Sequence, residues 1–166
     1  MIALRSVLFN ALFYLNLIGQ MIVLTPVYFL LPRKKAYMVP KNWARSSHWL
    51  FEKIVGTTFE IEGLENLPEG GYIFAPKHQS FWDVFALLPW LADPFYILKR
   101  ELTWLPFFGW ALLKMKMIPV DRSAGSRALQ MATRRAKVEL GQNGRQLLIF
   151  PEGTRRPVGA PPAYKF

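Results

Sequence analysis

At 166 residues with a formal charge of +10, the chain is long enough for one domain with a sizeable core and is biased toward anionic partners. It has no cysteine and two histidines, which excludes disulfides, thiolate metal centres, a cysteine nucleophile and a histidine-rich metal site. The charge alone would suit nucleic acid, but 52% hydrophobic and 15% aromatic residues favour a membrane surface, and no basic run interleaved with aromatics resembles an RNA-binding motif. No nucleic-acid partner is expected.

From Ser6 to Pro32 no residue is charged. As a helix this segment would be roughly 40 Å long against a hydrocarbon core of about 30 Å, so residues 1–32 read as a membrane anchor. Gly19-Gln20 and Pro26 interrupt it, and a kinked or re-entrant pair of short helices competes with a single span. A cleaved signal peptide fits less well, because the apolar stretch is too long and no small-x-small site follows it. Arg33, Lys34, Lys35, Lys41 and Arg45 come next with no acidic residue before Glu52, whereas the other flank carries only Arg5. The positive-inside bias places the body of the protein, residues 33–166, on the cytoplasmic side, with the basic cluster suited to anionic headgroups. Asn42 to Val55 predicts an amphipathic helix whose Trp43, Trp49, Leu50 and Phe51 suit an interface, and His48 within it reads as structural.

Thr57 to Gly63 alternates as a strand would, and 66–71 is a turn by composition. Tyr72 to Pro76 predicts a strand leading into Lys77-His78-Gln79-Ser80-Phe81-Trp82-Asp83, and Val84 to Leu91 an apolar helix. Phe95 to Leu98 is a short strand ahead of Lys99-Arg100-Glu101. In the stretch from Leu102 to Trp110, Phe107, Phe108 and Trp110 form an apolar patch that is either core or membrane-facing. Met117 to Val120 is a strand ending in Asp121-Arg122. From Ser123 to about Leu140 the periodicity predicts a helix with Leu129, Ala132, Ala136 and Leu140 on one face. Gln146 to Phe150 is the last strand, and Pro157 to Pro162 a loop. Strands alternating with helices imply an α/β fold, a largely parallel sheet with flanking helices, whose strand ends collect polar groups along one edge.

Four of those ends carry chemistry. His78 and Asp83 would diverge by roughly 140° on one ideal helix, so His78 must lie in the turn if Asp83 is to reach it. The pair then reads as a base and its orienter, while Ser80 and Asp83 alone would also make a helix capping box. Lys99, Arg122 and Arg155 are cations that this topology would gather near His78, and guanidinium is well shaped to hold a phosphate. Gly153 would let the backbone approach the same anion. With no Gly-x-Ser-x-Gly elbow and no cysteine, direct attack by a bound alcohol on an activated donor is the expected chemistry.

His78-Gln79-Ser80-Phe81-Trp82-Asp83 resembles the H-x4-D motif, and Phe150-Pro151-Glu152-Gly153-Thr154-Arg155 the F-P-E-G-T-R motif, of the glycerolipid acyltransferases. Ile118-Pro119-Val120-Asp121-Arg122 and Lys99-Arg100-Glu101-Leu102 resemble the blocks between them. The resemblance, strongest to bacterial lysophosphatidate acyltransferases, covers nearly the whole chain. It implies transfer of a fatty acyl group from a thioester of CoA or acyl carrier protein to the 2-hydroxyl of lysophosphatidate, at the inner membrane with the catalytic domain on the cytoplasmic side. It implies no cofactor beyond that thioester, and as partners the two substrates, membrane lipids and the carrier protein. Carried over by position, His78 is the general base and Asp83 its orienter; Lys99, Arg122 and Arg155 bind phosphate, and Glu152 and Gly153 shape the acceptor site. The family has a further apolar, proline-containing block that this sequence, ending at Phe166, does not reach, so the domain is expected to be C-terminally incomplete. Glycerol 3-phosphate or a lyso-aminolipid as acceptor, and a non-catalytic anionic-lipid-binding module, remain the alternatives.

Overall fold

A computed structural model describes residues 2–164, with the backbone but not the side chain of Arg122. The residues form two compact units, one through Leu67 and one from Pro68 onward.

The first unit is helical. α1 (Ile2–Leu30) is one continuous helix of 29 residues, roughly 44 Å long. Gly19-Gln20 does not break it, and Pro26 sits inside it. By length and composition it could cross a bilayer, and most of its surface is exposed. A short turn of helix, α2 (Arg33–Ala36), leads to α3 (Met38–Leu50) and a π-helical turn over Phe51–Val55. The amphipathic pattern explains the pairing with α1. Trp43 lies 5.5 Å from Phe13 and Phe51 5.3 Å from Phe9, ring centre to ring centre, while Trp49 faces outward. A polar seam runs through the same contact. Asn16 Nδ2 donates to Ser46 Oγ at 2.8 Å, and Gln20 Nε2 donates to Asn16 Oδ1 at 2.8 Å and Ser46 Oγ at 3.0 Å. Half-buried amides inside an apolar helix need such partners. His48 is buried with its ring 4.7 Å from that of Phe59, and desolvation lowers its pKa. Thr57 to Gly63 keeps an alternating burial but is not a strand. It lies before the sheet and joins no ladder, and alternation alone supplies no hydrogen bonds.

The second unit holds a four-stranded sheet of order β1-β4-β2-β3, with β1 (Tyr72–Phe74), β2 (Pro94–Lys99), β3 (Ile118–Val120) and β4 (Gln146–Leu148). Every pairing is parallel, as the alternation of strands and helices implies. Phe95 pairs with Leu147 and Ile97 with Ile118, which places all four on one face. Against that face packs α5 (Gly125–Gly141), through Ala132 and Ala136. Leu129 shares the stripe yet stays 59% exposed. The three-residue strands span only about 10 Å and the six-residue β2 about 20 Å, whereas a seventeen-residue helix runs about 25 Å and overhangs them. Between β2 and β3 lies α4 (Phe108–Lys114).

Residues 84–91 do not form the predicted α-helix. A 3-10 turn at Trp82–Val84 is followed by successive tight turns, with Phe85 N–H donating to the Trp82 carbonyl at 3.1 Å and Leu88 N–H to that of Phe85 at 3.1 Å. Pro89 has no N–H to give and disfavours helical geometry at Leu88, and a segment this short cannot absorb both. It nonetheless buries Phe85, Ala86, Leu88 and Leu91. The Tyr96 hydroxyl donates to the Val84 carbonyl at 2.8 Å, tying this segment to β2.

Candidate active site

In a parallel sheet all strands end on the same edge, and β4 lies beside β1. The loop after β1 and the loop after β4 are therefore neighbours, although the sequence separates them by the whole of β2, β3 and α5. His78 stands in the first loop. Its Nδ1 lies 3.3 Å from Asp83 Oδ2, on the 3-10 turn that follows, and both side chains are less than a fifth exposed.

Asp83 is held by more than the imidazole. Its Oδ2 accepts the backbone N–H of Gln79 at 2.6 Å and of Ser80 at 2.7 Å, and Oδ1 accepts the Ser80 hydroxyl at 2.9 Å. Of the capping box only the Asp83 half forms, its carboxylate accepting the Ser80 N–H, whereas the Ser80 hydroxyl donates to that carboxylate and caps no backbone N–H. Burial pushes the Asp83 pKa up, but the N–H groups of Ser80 and Gln79, the Ser80 hydroxyl and His78 outweigh it and hold the carboxyl below its usual value. An ionised carboxylate only accepts, so Nδ1 carries a proton, and in the neutral ring the lone pair is then on Nε2.

The second loop closes on the same histidine. The Phe150 ring stacks on the imidazole at 4.3 Å with a 28° tilt, and the backbone N–H of Arg156 donates to the His78 carbonyl at 2.7 Å. Neither contact is readable from the sequence, since each depends on β4 inserting between β1 and β2. Glu152 is 1% exposed, and neither of its carboxylate oxygens has a hydrogen-bond partner. Gly153 turns the chain with φ of 62°, a left-handed conformation that suits glycine, and its N–H donates to the Phe150 carbonyl at 3.0 Å.

Of the three cations, Lys99 ends β2 and is exposed, Arg155 is exposed in the loop after β4, and Arg122 opens the 3-10 turn after β3, its side chain lying outside the described ones. All three positions follow strand ends on the edge that carries His78. Successive strands are about 4.8 Å apart, and Tyr96 is level with Phe74, so the ends of β2 and β3, three residues further along, lie roughly 14 and 18 Å from that of β1. Among the described residues no three His, Asp or Glu side chains converge as a metal site.

A family model described as Acyltransferase matches residues 58–160. A 1-acyl-sn-glycerol-3-phosphate acyltransferase of Pseudomonas aeruginosa is 41% identical over 155 residues, which covers 90% of this chain and 60% of that protein. A chloroplastic protein of the same description from Arabidopsis thaliana is 33% identical over 80% of this chain and 36% of its own length. The crystal structure of a 1-acyl-sn-glycerophosphate acyltransferase from Thermotoga maritima superposes with a TM-score of 0.75 at 25% identity, over 99% of this chain and 68% of that one. The chain thus spans about 60% or less of the length of these two curated relatives.

Proposed function

The chain belongs to the acyltransferase family, and from that premise we propose that it moves a fatty acyl group from a thioester to the 2-hydroxyl of lysophosphatidate, forming phosphatidate. The observation that carries the chemistry is the contact of His78 Nδ1 with an acceptor-only Asp83. Nε2 takes the hydroxyl proton as the alcohol oxygen attacks the thioester carbonyl. A C–O bond forms, the C–S bond breaks, and the imidazolium returns its proton to the departing thiolate. Such base catalysis is worth about 10²- to 10⁴-fold in rate. Asp83 holds the ring in one tautomer and stabilises the transient imidazolium. Because the thioester is already activated, the step calls on no cofactor.

Lys99, Arg122 and Arg155 bind the phosphate of the acceptor, Gly153 lets the backbone approach it, and Glu152 shapes the acceptor's seat. The names of the relatives support lysophosphatidate over glycerol 3-phosphate or a lyso-aminolipid. The reaction takes place at the cytoplasmic face of the inner membrane, residues 1–32 serving as anchor and 33–166 as catalytic domain. The basic run from Arg33 to Arg45 supports that orientation.

Full-length protein in lipid, given labelled acyl-CoA or acyl carrier protein and a panel of lyso-acceptors, tests the proposal by product identification. Labelled phosphatidate from lysophosphatidate is expected, and the better donor distinguishes CoA from carrier protein. Acylation of another acceptor, or lipid binding without any acylated product, would overturn it.

A further inference from the structure

Between β2 and α4 the chain makes a tight apolar projection. A 3-10 turn, Arg100–Trp104, packs its Thr103 backbone so close to Gly109 that a Cβ there would lie 2.2 Å from the Thr103 carbonyl oxygen. Between them Phe107 adopts φ of 60°, a conformation that β-carbon sterics disfavour. The turn is thus a defined shape, and it leaves its large side chains outside: Trp104 is 66% exposed, Leu105 49%, Phe107 48% and Trp110 52%. Among the described residues nothing covers these side chains.

The projection starts at Lys99, on the sheet edge where His78 lies. The same edge carries Arg100, whose guanidinium lies over the Trp104 ring at 5.6 Å, and exposed Arg127 in the first turn of α5. Of the carboxylates there, Asp83 is held by its turn, Asp121 pairs with Arg100 at 3.0 Å and Glu152 is buried, so the exposed charges on this edge are Glu101 against Lys99, Arg127 and Arg155. A five-residue 3-10 turn puts Trp104 up to about 10 Å from Lys99, comparable with the depth to which interfacial side chains enter a headgroup layer, about 5–10 Å.

We propose that the projection 102–110 inserts into an anionic bilayer surface, so that the sheet edge bearing His78 faces the membrane through a contact separate from α1. Indole and phenyl rings favour the interfacial zone, and cations behind them meet the headgroups. Charge complementarity selects this occupant: a second copy of this chain would bring the same basic edge against itself. The proposal goes beyond acyl transfer, and its test needs no substrate.

The chain has no native cysteine, so a single thiol at Phe107→Cys or Trp104→Cys can carry an environment-sensitive fluorophore in the full-length protein. Gln142→Cys, exposed on the helix end at the opposite sheet edge, is the control. With vesicles of phosphatidylglycerol and phosphatidylcholine, the labels at 104 and 107 should be quenched by acyl-chain nitroxide and shielded from aqueous iodide, while that at 142 does the reverse. Arg127→Glu, a change of two charges, should shift the insertion equilibrium about thirtyfold toward the aqueous state. Labels at both 104 and 107 open to iodide would overturn the proposal, and so would labels shielded from both quenchers, which would mean that protein covers the patch.

Discussion

Asp83 accepts from four donors, three of which belong to the turn it sits on and only one to the histidine. Its structural and chemical roles can therefore be separated. In Asp83→Asn the amide oxygen can keep the two backbone N–H bonds, and the Ser80 hydroxyl can rotate to accept from the amide nitrogen, so the loss of stability should be about 1 kcal/mol. The neutral amide cannot stabilise an imidazolium, so turnover should fall by about 10²- to 10⁴-fold. Urea titration and acyl-transfer rates on the same preparation check both. The acid limb of stability should change as well. Because the folded-state pKa lies below the ordinary carboxyl value, the carboxylate's contribution is complete above about pH 5 and fades as pH falls through 4 toward the folded pKa. The variant should lose less stability than the parent between pH 6 and pH 3. His78 and Asp83 were legible in the sequence because their spacing at a strand end admits one geometry that joins them. The Phe150 stack was not, because it is set by a neighbour in the sheet and not by a neighbour in the chain.

At the scale of elements, the part of the second unit farthest from the site is pinned by one side chain. Arg145, fully buried just before β4, donates from Nε to Asp93 at 3.0 Å and from Nη1 to Glu139 at 3.0 Å, and from Nη2 to the Met115 carbonyl at 2.8 Å. It also lies over the Phe95 ring at 4.9 Å. It thereby joins the entry to β2, the end of α4, the last turns of α5 and the start of β4. Arg145→Met would leave two carboxylates without their counter-charge, and a loss of about 3–5 kcal/mol is expected in denaturant unfolding. The folded fraction should keep its turnover, since the residue sits at the edge opposite His78. A drop in specific activity at unchanged fold would show that this edge reaches the site. No pattern marks such a residue, because an isolated arginine before a strand reads the same whether it is solvated or buried. The strands themselves were legible from apolar runs bounded by turn residues. The missed helix at 84–91 turned on Pro89, and the missing strand at 57–63 on the lack of an adjacent ladder, which local alternation does not report.

For the whole molecule, the basic charge and the apolar surface are distributed in ways that serve one end. The first unit offers a long exposed apolar helix with a cationic turn after it, and the second gathers cations and aromatic rings on the edge where its strands finish. In the proposed reaction the lipid acceptor and the thioester meet at this edge, with the imidazole as the group that takes the proton. The most direct measurement compares parent and His78→Ala full-length protein in lipid vesicles, reading acyl transfer to lysophosphatidate and equilibrium binding of that acceptor side by side. Transfer should disappear to within the uncatalysed background while binding stays within about twofold, since removing a base affects the transition state and not the ground state. Undiminished transfer by the alanine variant would contradict the role assigned to His78.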